Sequence, residues 1–230
     1  MFDKHAEQYD GWFMKNRTVL ESEVRLIRHA LRRPGRTLSI GCGSGLFEQI
    51  LRAEHGIDIT HGVEPAEGMA RIAEMRGMTV RRGTAEAVPY GDSEFDTVLM
   101  NGTPSYLTDV TKAFEEALRV LRSGGHIVVG DVPANSGYGM LYQLATQLKT
   151  WDHPDLKKIA PADPYPIEFA SLAHWRTTEE LGQAMIQAGF CDLEYAQTLT
   201  RHPRYTNDAV EDPVAGFDRG GYVAIRGRKE

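Results

Sequence analysis

Gly41, Gly43 and Gly45 alternate through Gly41-Cys42-Gly43-Ser44-Gly45, directly after the short apolar run Thr37-Leu38-Ser39-Ile40. Leu46 to Leu51 is amphipathic, so the stretch predicts strand, tight turn and helix. Glycine reaches backbone angles that side chains forbid and lets a ligand lie against the main chain. The helix start adds unpaired N–H groups pointing at that ligand. Asp58 to Val63 predicts the next strand, which delivers Glu64 beside the turn. That is the spacing at which a carboxylate receives the ribose hydroxyls of a nucleoside. A plain turn and an ordinary exposed acid account for the residues singly, but not for strand, turn, helix and acid together. The arrangement is that of a site for an adenosine-containing molecule.

Nicotinamide- and flavin-binding turns favour Gly-x-Gly-x-x-Gly, whose third glycine allows close helix–strand packing over a pyrophosphate. The sixth position here is Leu46, which suits a ligand without pyrophosphate. A Rossmann-type NAD(P)-dependent oxidoreductase is therefore the rival reading.

Holding the turn and the acid side by side requires a parallel sheet. Helices are expected at 5–15 and 17–32, the second with Leu20, Val24, Ile27 and Leu31 on one face, ended by Pro34-Gly35. Strands at 37–41, 58–63, 78–82, 95–100 and 125–131 are interspersed with helices at 45–55, 66–76 and 109–121. This predicts an α/β fold with helices on both faces of a mostly parallel sheet. Ligands of such sheets bind at the carboxyl ends of the strands, where the glycine turn, Glu64, Thr84 to Glu86 and Asn101 all fall. Residues 133–176 begin with a helix near Tyr138 to Lys149 and carry Tyr138, Tyr142, Trp151, Tyr165, Phe169 and Trp175, with prolines at 154, 161, 164 and 166. Their aromatic content separates them from a disordered linker and predicts a small lid. A helix at 178–188, capped by Thr177 or Thr178, and strands at 191–200 and 221–227 follow. The whole reads as one domain over 1–230: cap helices 1–33, ligand-binding core 37–132, lid and acceptor segment 133–176, and C-terminal helix and strands 177–230.

Leu38 to Gly45, Gly62-Val63-Glu64-Pro65 with Met69, and Gly83-Thr84-Ala85-Glu86-Ala87-Val88-Pro89 resemble, in order and spacing, S-adenosylmethionine-dependent class I methyltransferases. So do Ser93-Glu94-Phe95-Asp96-Thr97-Val98 and Ala117-Leu118-Arg119-Val120-Leu121-Arg122-Ser123-Gly124-Gly125. The likeness is to the small-molecule "type 11" group, which includes quinone C-methyltransferases. It covers residues 37–132, fades through 133–176 and resumes weakly at Trp175 to Phe190. It implies a Rossmann-like, seven-stranded sheet of order 3-2-1-4-5-7-6 with strand 7 antiparallel. It further implies S-adenosylmethionine as cofactor, S-adenosylhomocysteine as product, and methylation of a small molecule at O, N, S or C. The cofactor residues implied are Tyr9, Gly41, Cys42, Gly43, Gly45, Glu64, Pro65, Met69, Thr84, Ala85, Glu86 and Asn101. Thr84 to Glu86 would border adenine. Relatives often carry an acid where Thr84 stands, which shifts weight to the backbone N–H of Ala85. Asn101 would face the methionyl part. Tyr9, in Gln8-Tyr9-Asp10-Gly11-Trp12-Phe13, resembles an element that closes over the cofactor, although helix packing explains it equally.

Methyl transfer from a sulfonium is an in-line displacement in which positioning supplies much of the acceleration, so a catalytic base can be weakly marked. His174 and Tyr106 are the candidates. Tyr106, Asp131, Tyr138 and Trp175 are candidate acceptor contacts, with a second small core as the alternative for the aromatics. Asn101-Gly102-Thr103-Pro104-Ser105-Tyr106 lacks the paired prolines of enzymes that methylate exocyclic amino groups of nucleic acids. Neither Cys42, in the turn, nor Cys191, at a peripheral strand, is placed as a pyrimidine nucleophile. With 26 Lys and Arg against 32 Asp and Glu, the net charge is −6, which argues against a polyanionic partner. The cysteines and histidines show no metal-ligand spacing. No apolar run approaches a membrane span, and Met1-Phe2-Asp3-Lys4-His5 lacks the apolar core of a signal peptide. The expectation is a reduced cytoplasmic protein, monomer or homodimer, with no nucleic-acid or membrane partner and no metal. A non-catalytic adenosyl-ligand-binding protein is the third reading.

Overall fold

Helices α1 (Phe2–Lys15) and α2 (Arg17–Leu31) precede the first strand in the computed structural model, which describes residues 2–230, with side chains from residue 7 onward. Met1, with which the cap segment 1–33 begins, lies outside the described residues. There follow β1 (Thr37–Ile40), α3 (Leu46–His55), β2 (His61–Val63), α4 (Glu67–Met75), β3 (Thr79–Arg81), β4 (Phe95–Asn101), α5 (Val110–Val120) and β5 (Leu121–Asp131). The chain then forms α6 (Gly137–Leu148), α7 (Leu156–Ile159), α8 (Ile167–Ala170), α9 (Thr178–Gln187), β6 (Phe190–Thr198), β7 (Val214–Ala215) and β8 (Tyr222–Lys229).

The sheet order is β3-β2-β1-β4-β5-β8-β6-β7. β1 pairs in parallel with both β2 and β4, so the chain builds outward on one side and returns to the other at β4. A crevice opens at the carboxyl ends where strand order reverses in this way. The final strand inserts antiparallel beside β5, as the expected order has it. The count is corrected from seven to eight, because Val214–Ala215 pairs antiparallel with Ala196 and Gln197 at the outer edge. A two-residue strand has no alternation to read in a sequence.

Side chains alternate across each strand and feed two cores. Leu38 and Ile40, Val98 and Met100, and Ile127 and Val129 pack with α5 and α9. Leu99, Val128 and Ala224 face α2 and α3, where Leu20, Val24, Ile27 and Leu31 form the expected helical stripe. β5 begins four residues earlier than its pattern predicts. Phe95 pairs with Leu121 and Thr97 with His126, and the slack between them is taken up near Gly124, whose φ is +75°. Thr177 caps α9 through a reciprocal box: its hydroxyl accepts from the Glu180 N–H at 3.2 Å, and its own N–H donates to Glu180 at 2.7 Å.

The segment 133–176 folds over α1. Trp12 Nε1 donates to the Asp163 carbonyl at 3.1 Å and Trp151 Nε1 to that of Tyr165 at 3.0 Å. The Tyr165 ring stands edge-on to Trp12 at 5.0 Å. No helix among the described residues is long and apolar enough to cross a membrane.

Candidate functional site

All three turn glycines sit in the left-handed region, with φ of +69° at Gly41, +55° at Gly43 and +72° at Gly45. Their surroundings differ. A Cβ on Gly41 would meet Thr103 at 2.6 Å, and one on Gly45 would meet Met78 at 2.8 Å. A Cβ on Gly43 would meet nothing within 4 Å. Gly41 and Gly45 thus let neighbouring elements approach, whereas Gly43 faces open space. The turn is fastened to β2 by Gly41 and Cys42, whose N–H groups both donate to the Val63 carbonyl, at 2.7 and 3.1 Å.

Glu64 is 7% exposed, not an ordinary exposed acid. Its Oε2 accepts from the Gly43 N–H at 2.9 Å and its Oε1 from the Ala66 N–H at 2.8 Å. The carboxylate thereby ties the glycine turn to the start of α4. An ionised carboxylate offers about four acceptor positions, and Glu64 also lines a cavity of about 880 Å³, counted to its open mouth. All the expected cofactor residues except Cys42 and Gly45 line this space. Those two stand behind the turn. Cys42 is buried with Ala73 and Met78, and burial pushes its thiol pKa up; Gly45 provides the close approach to α4. Gly102, Thr103, Leu107 and Thr108 also line the cavity. They come from the loop after β4, whose sequence was informative chiefly by the motif it lacks.

Tyr9 reaches the cavity because Asp10 anchors α1. Asp10 accepts from the Ser44 hydroxyl at 2.5 Å and from Arg76 at 2.6 Å, while Arg76 also donates to the Ser44 carbonyl at 2.8 Å. One carboxylate therefore pins the cap helix to the glycine turn and α4 together. The Tyr9 ring is edge-on to Phe13 at 5.1 Å and Phe169 at 6.1 Å, so packing and cavity lining coexist in one side chain.

A second cavity, of about 590 Å³ counted to its mouth, meets the first at Tyr9, Asn101, Gly102 and Tyr106, which line both. Its walls include Trp12, Phe13, Phe47, Tyr142, Tyr165, Trp175 and Tyr222. Tyr222 donates to Asn101 Oδ1 at 3.0 Å, and the Tyr106 and Tyr165 hydroxyls lie 3.2 Å apart. Two acidic residues also line it, Glu23 and Asp131. Asp131 Oδ1 accepts from the Ser105 hydroxyl at 2.7 Å and the Val132 N–H at 2.8 Å. Burial raises its pKa to about 6, against the opposing pull of these bonds. Burial also pushes Glu23 up to about 8, with the Asp131 charge adding to the effect. Sequence reasoning missed Glu23. Its signal was a carboxylate three residues after Leu20 and four before Ile27, on the apolar face of α2.

Of the expected acceptor contacts, Tyr106, Asp131 and Trp175 line the second cavity and Tyr138 does not. Tyr138 is buried, its hydroxyl bonded to that of Thr206, and its ring stands edge-on to Tyr142 at 5.9 Å. Its place in the fold is a packing position, apart from both cavities. His174 is exposed and lines neither cavity; its backbone N–H donates to the Ser105 carbonyl at 2.6 Å. The fold therefore does not gather His174 with the residues of either cavity. Among the described residues no group of His, Cys, Asp and Glu gathers to hold a metal ion. Tyr138→Leu is expected to cost about 1–3 kcal/mol of stability, from lost packing and the lost hydrogen bond to Thr206, which keeps its own bond to the Pro203 carbonyl, with S-adenosylhomocysteine affinity unchanged. Trp175→Leu should instead lower acceptor turnover with that affinity and the urea midpoint near wild type. Equal effects of the two changes on turnover would refute the distinction.

A family model described as Methyltransferase domain matches residues 38–129. A crystal structure from Thermotoga maritima, described as a SAM-dependent methyltransferase and possible histamine N-methyltransferase, is 34% identical, covers 100% of this chain and 98% of its own, and superposes with a TM-score of 0.84. An uncharacterized protein of Methanocaldococcus jannaschii is 31% identical over 229 residues, covering 100% of this chain and 98% of its own length. A demethylmenaquinone methyltransferase of Roseiflexus sp. is 29% identical over 212 residues, covering 85% of each chain.

Proposed function

This chain belongs to the S-adenosylmethionine-dependent methyltransferases, and from that premise we propose that it methylates a small molecule seated in the second, aromatic cavity. S-adenosylmethionine is its cofactor, and the residues present fit that molecule. Gly43 leaves clear the space a Cβ would fill, and Glu64, Thr84, Ala85 and Glu86 line the same cavity. When bound, the cofactor supplies an electrophilic methyl group and departs as S-adenosylhomocysteine.

The observation that carries the small-molecule reading is the junction of the two cavities at Tyr9, Asn101, Gly102 and Tyr106. An acceptor in the aromatic cavity can reach the first cavity there. The aromatic cavity is lined mainly by aromatic side chains with a few polar groups among them, the usual make-up of a small-molecule site, and 133–176 together with α1 roof it. Two relatives carry names that point the same way, histamine in one and demethylmenaquinone in the other. The chain's own residues position and desolvate the acceptor, which is where much of the rate of such a displacement originates. A cytoplasmic place of action forms part of the proposal, supported by two unpaired cysteines.

S-adenosylmethionine and S-adenosylhomocysteine are each expected to raise the melting temperature, corresponding to about 2.7 kcal/mol at one hundred times Kd. NAD should have no effect. Incubation with methyl-labelled cofactor should then label small phenols, thiols, amines or quinols from a mixed panel. Label found only in transfer RNA or protein would overturn the small-molecule reading.

A further inference from the structure

We propose that the acceptor is a small organic amine whose nitrogen is held at the Glu23 and Asp131 carboxyl groups within the aromatic cavity; this rests on the reading of that cavity as the acceptor site. Glu23 is 6% exposed, hence more than nine-tenths buried, and it lines the cavity. Among the described residues nothing donates a hydrogen bond to its carboxyl group and no cation pairs with it; its electrostatic neighbours are the like-charged Asp131 and the buried hydroxyls of Tyr9, Tyr138, Tyr142 and Tyr222. A buried carboxyl without a partner is costly. The cavity's contents are what its oxygens can meet.

The lining selects among possible contents. It includes two acidic residues and no Lys, Arg or His, so nothing in the lining compensates the charge of an anionic guest. A neutral planar guest would use the aromatic walls and leave Glu23 unsatisfied. An ammonium uses both, because aromatic faces such as those of Tyr9, Trp12, Tyr142 and Trp175 attract cations and carboxylates form charge-assisted bonds with N–H donors. The raised pKa of Glu23 suits a group that exchanges a proton with an amine. From an ammonium–carboxylate pair one proton passes to Glu23, and the freed nitrogen lone pair forms the new N–C bond. The electrons of the broken S–C bond stay on the thioether sulfur of S-adenosylhomocysteine. The product leaves as a methylammonium ion.

The test is calorimetric titration of the 230-residue chain, saturated with S-adenosylhomocysteine, with benzylamine, phenethylamine and tryptamine, each beside its alcohol isostere. At least one amine is expected to bind about tenfold or more tightly than its alcohol, as a desolvated charge pair requires. Glu23→Gln should reduce that preference below about twofold, and Glu23→Asp should restore part of it. Similar affinities in every amine–alcohol pair, no amine binding, or a preference that survives in Glu23→Gln would overturn the inference. Should Glu23→Gln fail to fold, the wild-type pairs and Asp131→Asn decide alone. S-adenosylhomocysteine affinity measured on the same samples separates the two levels. Its absence in the wild type defeats the underlying reading, whereas its presence with methylation of a phenol or quinol and of no amine defeats the amine assignment only.

Discussion

Glu23→Gln is expected to stabilise the folded chain at pH 9 by about 2–4 kcal/mol and to change it little at pH 4. Burial is the cause. Glu23 holds its proton up to about pH 8 in the folded chain, against an ordinary value of 4.5. Each pKa unit is worth about 1.36 kcal/mol, which sets a ceiling near 5 kcal/mol that relaxation and coupling to Asp131 reduce. The folded chain binds more protons than the unfolded chain between these two values. The stability contributed by protonated Glu23 is therefore fully present below pH 4.5, declines as pH rises toward 8, and is flat beyond. Glutamine has nearly the same shape and does not titrate, so the variant escapes the decline. Asp131, raised from 3.8 to about 6, adds a decline of the same sign that persists in the variant. The other groups whose charge is felt around Glu23, the hydroxyls of Tyr9, Tyr138, Tyr142 and Tyr222, are themselves held neutral by burial. Urea unfolding of both proteins at pH 5, 7 and 9, without amines, gives the comparison. Parallel pH profiles would show that Glu23 is not desolvated as the fold places it.

The parts of this molecule that a sequence reveals are those governed by local rules. Alternating glycines, the acid at the end of β2 and the apolar stripe of α2 each carry a period or spacing, and the structure places those residues where the spacing predicts. The second cavity is different in kind. Its lining comes from α1, α2, α3, β4 and the loop after it, the end of β5, β8 and residues 133–176, so no single window contains its pattern. Glu23 shows the difficulty. A lone carboxylate on an apolar face reads as a helix-surface residue until α2 is docked against the sheet and the aromatics close around it. Tyr138 shows the converse. It has the composition of an acceptor contact, yet Thr206, sixty-eight residues later, takes its hydroxyl. The anchoring of α1 through Asp10, Ser44 and Arg76 is long-range for the same reason, even though Tyr9 and Asp10 stand out as a pair. The extra strand β7 is invisible because its register is borrowed entirely from β6.

The cofactor turn yields the other large effect. Gly43→Val is expected to weaken S-adenosylhomocysteine binding by about a hundredfold or more, roughly 3 kcal/mol, with the chain still folded. The new side chain meets no protein atom within 4 Å of its Cβ and so projects into the cavity. The φ of +55° adds a folding cost of about 1–2 kcal/mol for a side chain in the left-handed region. Gly41→Val has the same backbone cost but drives into Thr103, whose hydroxyl donates to the Ile40 carbonyl at 3.0 Å, so it should damage the fold itself. Glu64→Ala lies between these. Loss of charge-assisted ribose bonds should cost about 2–4 kcal/mol of binding. The orphaned N–H groups of Gly43 and Ala66 should remove a further 1–3 kcal/mol or so of stability. Glu64→Gln keeps one acceptor oxygen and should fall between wild type and alanine in both measurements. Calorimetric affinity for S-adenosylhomocysteine, read beside urea midpoints, separates the three cases. Wild-type affinity in Gly43→Val would remove the glycine turn from the cofactor site, whatever Glu64→Ala does, because that side chain has no other place to go.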